Sequence, residues 1–449
     1  MFPSHIFKAY DIRGIVGSEL TEELFYRIGR ATVVFTGAKH VYVGYDMRNS
    51  SVEFKNALIK GLVDQGADVT DIGLISTPML NIMTIKDETA DLGVMITASH
   101  NPAEYNGCKF VNKTTMMPIG LDSGLDQIRD MVEKYDFVDA LEKGTVAEKN
   151  LKQEYIDFTF SLLDTSTIKP MKVVIDMGNG IEGLFIDGFM DKLPIESQYL
   201  FKEPDGSFPN HEPNPIKPEN LKDLQSKVLE VGADIGFAFD ADADRIGLVD
   251  EKGSIISGDK ITALLVPEML KKYPKSSIMY DLRSTMSVAE VTSKNGGRPI
   301  ESRVGRTLII QSMRKEDASF GGELSGHFYY KDLFGFESGD LTLLYILKLI
   351  SQSGKKVSEL VAEFSKYFHS GEINFEVEDK DTMINKIYEI YSKDAKETSQ
   401  LDGIKIAFDD WWFNVRKSNT EPVLRLNLEA NTEELMREKI KEISDFISS

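Results

Sequence analysis

Residues 90–109 read ADLGVMITASHNPAEYNGCK, and residues 233–247 read ADIGFAFDADADRIG. Each opens as an apolar strand and closes on a polar turn. Upstream of each lies another strand ending in Asp: residues 43–48 read VGYDMR and residues 174–178 read VIDMG. A degenerate third copy follows at 278–283 (IMYDLR) and 317–323 (DASFGGE). Helical patterns such as 51–65 and 220–231 run between the two strands of a copy. Strands alternating with helices predict parallel sheets, and the repeat predicts three similar α/β domains at 1–148, 149–251 and 252–367. The tail differs: 372–377, 404–408, 411–415 and 423–428 read as strands and 382–392 and 432–447 as helices, a smaller α+β domain over 368–449. Ligands of open α/β sheets gather beyond the carboxyl ends of the strands, so four loops are expected around one central cleft.

The 449 residues leave room for two to four domains. No stretch approaches the roughly 20 apolar residues that span a bilayer. Residues 1–10 lack a basic region followed by an apolar run, so no signal peptide is expected. One cysteine, Cys108, excludes an intrachain disulfide and a cysteine-rich zinc site, and fits a reducing cytoplasm. The formal net charge of −20 repels nucleic acid and anionic membranes, so neither is an expected partner. It also repels phosphorylated small molecules, so a phosphate site must be a local cluster of Arg and Lys.

In the first loop, Ser99 follows a strand on a turn ended by Asn101 and Pro102. A serine beside possible helix N-terminal amides suits phosphate, with His100 and Lys109 near enough in sequence to neutralise charge or move protons. A simple helix cap is the competing reading. No G-x-S-x-G elbow occurs in the chain, which disfavours a hydrolase serine. In the second loop, Asp240, Asp242 and Asp244 are hard oxygen donors at alternate positions, followed by Arg245. Packed together they repel strongly unless a cation sits among them, and magnesium suits a phosphate neighbour. An EF-hand fits Glu251 at its twelfth position but not Arg245 at its sixth, where Gly is needed. A phosphatase with Asp240 as nucleophile leaves the Ser99 loop unexplained.

The third loop, 321–327 (GGELSGH), offers Glu323 and Ser325 to adjacent sugar hydroxyls and His327 as a group that titrates near neutrality. The fourth, 415–425 (VRKSNTEPVLR), offers the planar fork of Arg416 with Ser418, Asn419 and Thr420 as an anion site. A glycine turn and a polar hairpin are the plainer alternatives for these two. Gly178, Gly180 and Gly183 match G-x-G-x-x-G, read here as a tight strand-to-helix turn because nothing else asks for a dinucleotide.

Together, and in order along the whole chain, the four loops resemble the α-D-phosphohexomutase superfamily, nearest its bacterial phosphomannomutase/phosphoglucomutase branch. The opening 8–14 (KAYDIRG) and the segment 211–221 (HEPNPIKPENL) are similar as well. The resemblance implies a phosphoserine domain, a metal-binding domain, a sugar-binding domain and a C-terminal phosphate-binding domain in the four segments above. It implies a phosphoserine at Ser99, with Mg2+ on Asp240, Asp242, Asp244 and the Ser99 phosphate. It further implies catalytic roles for Arg13, His100, Lys109, Arg245 and His327. Substrate contacts fall to Tyr10, Arg283, Arg306, Glu323, Ser325, Arg416, Ser418, Asn419, Thr420 and Arg425. The implied activity is interconversion of hexose 1- and 6-phosphates of mannose and glucose through a hexose 1,6-bisphosphate that also serves as activator. A phosphoglucosamine mutase and a catalytically silent sugar-phosphate binder are the alternatives. The implied state is a monomer, with a dimer as alternative, acting on small phosphosugars. Three positions depart from the pattern. Ala241 stands where glycine is usual, and would be strained if that position needs positive φ. Arg283 and Arg306 stand where Lys and His are common, which leaves the sugar open, while Leu324 is like the mannose/glucose branch.

Overall fold

A computed structural model describes residues 2–418 and 423–448. The chain divides into two compact units, Met1–Ser257 with Ser325–Ser358, and Gly258–Leu324 with Glu359–Ser449. Three similar α/β domains and a smaller C-terminal domain make up these units.

The repeat is visible strand by strand. In the first domain His40–Tyr45 lies between Leu92–Ile96 and Asp68–Leu74, parallel to both. In the second, Met171–Asp176 lies between Ile235–Phe239 and Ile195–Leu200, again parallel. In the third, Ser277–Asp281 lies between Ala318–Gly322 and Arg298–Ser302, also parallel. The middle strand in each case carries the Asp-ending motif. The Asp turns the chain by accepting from the amide two residues on: Arg48 N to Asp46 at 3.0 Å, Gly178 N to Asp176 at 2.8 Å, Arg283 N to Asp281 at 2.8 Å. In the first two domains the strand beyond the functional loop returns antiparallel, Tyr105–Asn112 on Leu92–Ile96 and Ile246–Asp250 on Ile235–Phe239. Each loop is thereby held by a strand on both sides.

The C-terminal domain is an antiparallel sheet in the order Phe368–Phe375, Leu424–Ala430, Trp411–Lys417, Ile404–Ala407, Glu397–Ser399. Its core joins Phe413, Val415, Leu426 and Leu428 to Ile443 and Ile447 of the helix Glu433–Ile447. Thr432 caps that helix by accepting from Leu435 N at 3.2 Å. The edge strand Glu397–Ser399 is too polar to read as a strand from sequence. Phe368–Phe375 begins earlier than its apolar pattern because it pairs with Leu424–Ala430 across a register shift between His369 and Glu372, at Gly371 with φ of 68°. Among the described residues no helix is long and apolar enough to cross a membrane.

The glycine triplet serves close packing. A Cβ on Gly183 would lie 1.7 Å from the Lys202 carbonyl oxygen, and Gly178 takes φ of 50°. Glu182, between them in sequence, is fully buried and faces Asp340 at the start of the helix Gly339–Ser353. Tyr155 donates its hydroxyl to Asp340 at 2.5 Å. Burial pushes the Asp340 carboxyl up to about 6, against the hydrogen bond from Tyr155. Burial, with Asp340 adding to it, pushes Glu182 well above the usual carboxylate range. The folded Asp340 therefore keeps its proton to higher pH than an unfolded Asp, which releases it near about 4. Stability is lost as pH rises from about 4 to about 6, and the deficit persists above that window. Asp340→Asn keeps an acceptor for Tyr155 and removes the charge. It is expected to be more stable than wild type by ~1–3 kcal/mol at about pH 8, with a flatter pH dependence. Melting curves of both proteins from about pH 4.5 to 8 check this, and an equal or lower stability at the alkaline end refutes it.

Candidate active site

The loop after Leu92–Ile96 and the loop after Ile235–Phe239 meet in the first unit. Ser99 donates its hydroxyl to Asp240 Oδ2 at 3.0 Å, and His100 Nδ1 lies 3.3 Å from the same oxygen of Ser99. Ser99 has φ of 52°, a left-handed conformation that L-residues other than Asn and Asp rarely hold. The strain is held by Arg48, whose side chain is fully buried beneath the loop. Its Nη2 donates to the carbonyls of Ser99 at 2.7 Å and Asn101 at 2.5 Å, and its Nη1 to Pro102 at 2.7 Å and Tyr105 at 2.9 Å. Asp46 lies 3.3 Å from Arg48 Nε and orients it. Arg13 reaches the same turn, donating from Nη1 to Asn101 Oδ1 at 2.7 Å while Asp11 accepts from Nε at 2.9 Å. Tyr10 is half-buried just before the strand Ile12–Ile15.

Asp240, Asp242 and Asp244 are all buried, with one ligand oxygen from each within 4.8 Å of the others. Lys109, projecting from Tyr105–Asn112, donates to Asp242 and Asp244 at 2.6 Å each, and Thr77 donates to Asp242 at 2.5 Å. Lys109 with His327 holds Asp244 well below the usual carboxylate range in spite of burial. Burial, reinforced by Asp244 and Asp242, pushes Asp240 well above it. Burial, then Arg245 and Arg13, keep His100 well below its ordinary value, so it is neutral at pH 7. Arg245 donates from Nε to His327 Nε2 at 3.2 Å, and His327 Nδ1 lies 3.1 Å from Ser325 Oγ. The amide of Ile246 donates to the Gly326 carbonyl at 3.0 Å and fixes the third loop beside the second.

This donor set fits a hard divalent cation. All three ligands are carboxylates, one ammonium offsets only part of their charge, and Asp242 Oδ1 is buried with no hydrogen-bond donor. An EF-hand does not form. Strands flank the loop, and Glu251 instead accepts from the Ser358 amide at 3.1 Å and hydroxyl at 2.5 Å. The strain expected at Ala241 is absent there. The positive φ falls on Ala243, at 61°, which turns the chain so that alternate aspartates converge.

The second unit carries the basic cluster. Arg283 is clasped by Asp281, which accepts from Nε at 3.1 Å and Nη2 at 2.8 Å, and Asp281 also accepts from Leu324 N at 2.8 Å. Glu323 accepts from Gly305 N at 3.2 Å, beside the buried Arg306 that begins the helix Arg306–Lys315. Arg416 and Arg425 oppose each other on neighbouring strands. Ser418 is half-buried at the end of the Arg416 strand; Asn419 and Thr420 lie outside the described residues. Glu372 makes ion pairs with Arg416 at 2.9 Å, Arg425 at 3.1 Å and Arg283 at 3.4 Å. Arg48, Thr77, Asp11 and Glu372 escape sequence reasoning. Arg48 and Asp11 leave traces, the one in the D-x-R spacing shared by 46–48 and 281–283, the other within 8–14 (KAYDIRG).

Comparison with known proteins shows the phosphoglucomutase/phosphomannomutase family throughout: alpha/beta/alpha domain I over 4–139, domain II over 153–253, domain III over 257–367 and the C-terminal domain over 372–445. A phosphomannomutase of Methanocaldococcus jannaschii is 41% identical over 449 residues, 99% of this chain and 97% of its own length. One from Escherichia coli K12 is 40% identical, covering 94% of each chain. A crystal structure of a phosphoglucomutase/phosphomannomutase family protein from Burkholderia thailandensis superposes with a TM-score of 0.91 at 31% identity, covering 99% of this chain and 97% of the other.

If the aspartates form a cation site, removing one charge must weaken it. Asp242→Asn is expected to lower Mg2+ affinity by about tenfold or more while the fold persists. Titration calorimetry with Mg2+ and with Mn2+ measures this; affinities equal to wild type mean that the triad is not the site.

Proposed function

This chain belongs to the phosphoglucomutase/phosphomannomutase family, and from that premise we propose that it interconverts the 1- and 6-phosphates of mannose and glucose through a phosphoserine at Ser99. The observation that carries this reading is Ser99 itself, held in a left-handed turn with its hydroxyl 3.0 Å from the buried aspartate triad. The enzyme at rest carries phosphate on Ser99. Asp240, Asp242 and Asp244, with the Ser99 phosphate, would hold magnesium, which would stabilise charge on the transferring phosphoryl group.

Hexose 1-phosphate binds with its phosphate at Arg416, Arg425, Ser418, Asn419 and Thr420. Glu323 and Ser325 take the 3- and 4-hydroxyls, and Tyr10, Arg283 and Arg306 complete the substrate contacts. The 6-oxygen then bonds to phosphorus as the bond to Ser99 Oγ breaks, and the proton of the 6-hydroxyl goes to His327, or to Lys109 in its neutral amine form. Arg13, Arg245 and neutral His100 surround the transferring group, whose chemistry is mostly positioning and charge stabilisation. The hexose 1,6-bisphosphate turns around. The bond to its 1-oxygen breaks as phosphate returns to Ser99; the proton that Ser99 Oγ took up on leaving is given up again, and the 1-oxygen takes the proton the base received from the 6-hydroxyl. Added bisphosphate acts as activator by restoring phosphate to Ser99. Glucose and mannose differ at the 2-hydroxyl, which none of these assignments reads, so both are substrates; a site without that contact discriminates by no more than about 1–3 kcal/mol. The proposed enzyme is a cytoplasmic monomer of four segments, 1–148, 149–251, 252–367 and 368–449, and its single cysteine, Cys108, is free and buried.

Conversion of mannose, glucose and glucosamine 1-phosphates to 6-phosphates, by wild type and by Ser99→Ala, tests the reading. Wild type is expected to convert the first two. Ser99→Ala is expected to lose at least about a thousandfold in kcat while still binding substrate. Turnover by the variant close to wild type overturns the covalent route, and turnover of glucosamine phosphate alone overturns the substrate assignment.

A further inference from the structure

We propose that Glu372 is a displaceable counter-anion of the phosphate-binding arginines, holding their place when no phosphate is bound and hastening phosphate release during turnover. The inference rests on the assignment of Arg416 and Arg425 to phosphate and extends it to a residue that assignment leaves out.

Arg416 and Arg425 face each other across neighbouring strands, an arrangement of like charges that is unfavourable without an anion between them. Arg283 adds a third guanidinium. Glu372 answers all three, with Oε1 toward Arg425 and Oε2 toward Arg416 and Arg283. One carboxylate thus spans three forks, as two oxygens of a phosphate would. The three arginines hold Glu372 below the usual carboxylate range although burial opposes this, so it is ionised at pH 7. Asp281 lies on the far edge of Arg283, and Glu323 and Asp402 also act electrostatically on Arg283 and Arg416, but only Glu372 bridges all three arginines. Arg416 also has unused capacity: its side chain is 1% exposed, yet its Nε is buried without an acceptor.

Among the four, Glu372 is placed to leave. Its side chain is 23% exposed, against 1% for Arg416, 8% for Arg283 and 17% for Arg425. It follows the register shift at Gly371, where the strand departs from regular pairing. The arginines are fixed, and the carboxylate is the movable partner. In the proposed cycle the same site grips substrate, releases one end of the bisphosphate, grips the other end and releases product. Three guanidiniums without an internal competitor would bind every one of these species tightly, which lowers KM without raising kcat and slows the releases. A tethered carboxylate returning to the arginines offsets the loss of each departing phosphate.

Glu372→Gln removes the charge, and Glu372→Asp keeps it on a shorter arm that reaches fewer of the arginines. Inorganic phosphate binding, measured by calorimetry without Mg2+, is expected to tighten by about tenfold in Glu372→Gln and by a smaller factor in Glu372→Asp. The tightening is expected to vanish when Arg416→Ala is added. In turnover, Glu372→Gln is expected to lower both KM and kcat for hexose 1-phosphate. A carboxylate that merely holds the arginines in place predicts the reverse, weaker phosphate binding in both variants. Equal or weaker phosphate binding by either folded variant, judged by its melting curve, overturns the proposal. The phosphate measurement needs no catalysis. A wild-type protein that converts no hexose phosphate would therefore defeat the proposed function while leaving the comparison of phosphate affinities to decide the role of Glu372.

Discussion

Charge taken out of water has to be answered where it stands, and the aspartate triad sets that demand for the first unit. Asp240, Asp242 and Asp244 are at most 1% exposed, and an unpaired buried carboxylate costs several kcal/mol. Lys109 answers two of them from the strand Tyr105–Asn112, which is fixed by antiparallel pairing with Leu92–Ile96. The strand that presents Lys109 is therefore the one that closes the Ser99 loop. A single register ties the nucleophile candidate and the cation candidate together. A slip of one residue in that pairing would turn Lys109 to the other face and leave Asp242 with Thr77, a neutral donor.

The Ser99 turn shows how strain is carried by such a frame. A left-handed residue other than glycine costs of order 1–3 kcal/mol. Arg48 donates to four carbonyls of residues 99–105, and a charged hydrogen bond contributes about 1.5–3 kcal/mol. Even two of the four offset the strain. Burial lowers the Arg48 pKa and Asp46 opposes that, so the aspartate that follows the strand His40–Tyr45 also answers the buried charge of the clamp. The homologous aspartate of the third domain, Asp281, does the same for Arg283 but aims it at Glu372 instead of a loop backbone. One repeated device has been turned to two uses: rigidity beneath the serine, and a presented charge in the basic cluster.

Much of this is legible in the chain because strand periodicity and short-range turns are local. The helix expected at 51–65 is Ser51–Asp64, and each Asp-ending strand lies between two parallel neighbours. The 220–231 pattern splits into a single turn at Pro218–Leu221 and the helix Lys222–Val231, since Pro218 favours a helix start. The Ser99 and Asp240 loops were legible because their chemistry is packed into a few consecutive residues. Glu372 was not: it is one acid in a strand, and its meaning comes from Arg283, 89 residues away, and Arg416, 44 residues away. Ala241 and Ala243 could not be told apart by sequence, because which of two alanines takes positive φ depends on where the flanking strands end.

The contrast between the two clusters bears on how a protein of net charge −20 handles dianionic substrates. Screening limits the reach of surface charge to about 8–10 Å at physiological ionic strength, so the overall acidity decides little inside a buried cluster. There the local ledger decides, and the two clusters have opposite signs. The triad holds three carboxylates against Lys109 and Arg245, an arrangement that calls for a cation. The basic cluster holds Arg283, Arg416 and Arg425 against Glu372 and Asp281, an arrangement that calls for an anion. Each contains a buried polar atom with nothing to bind: Asp242 Oδ1 in one, Arg416 Nε in the other. Full neutralisation within the protein would make either site more stable and less able to exchange a ligand.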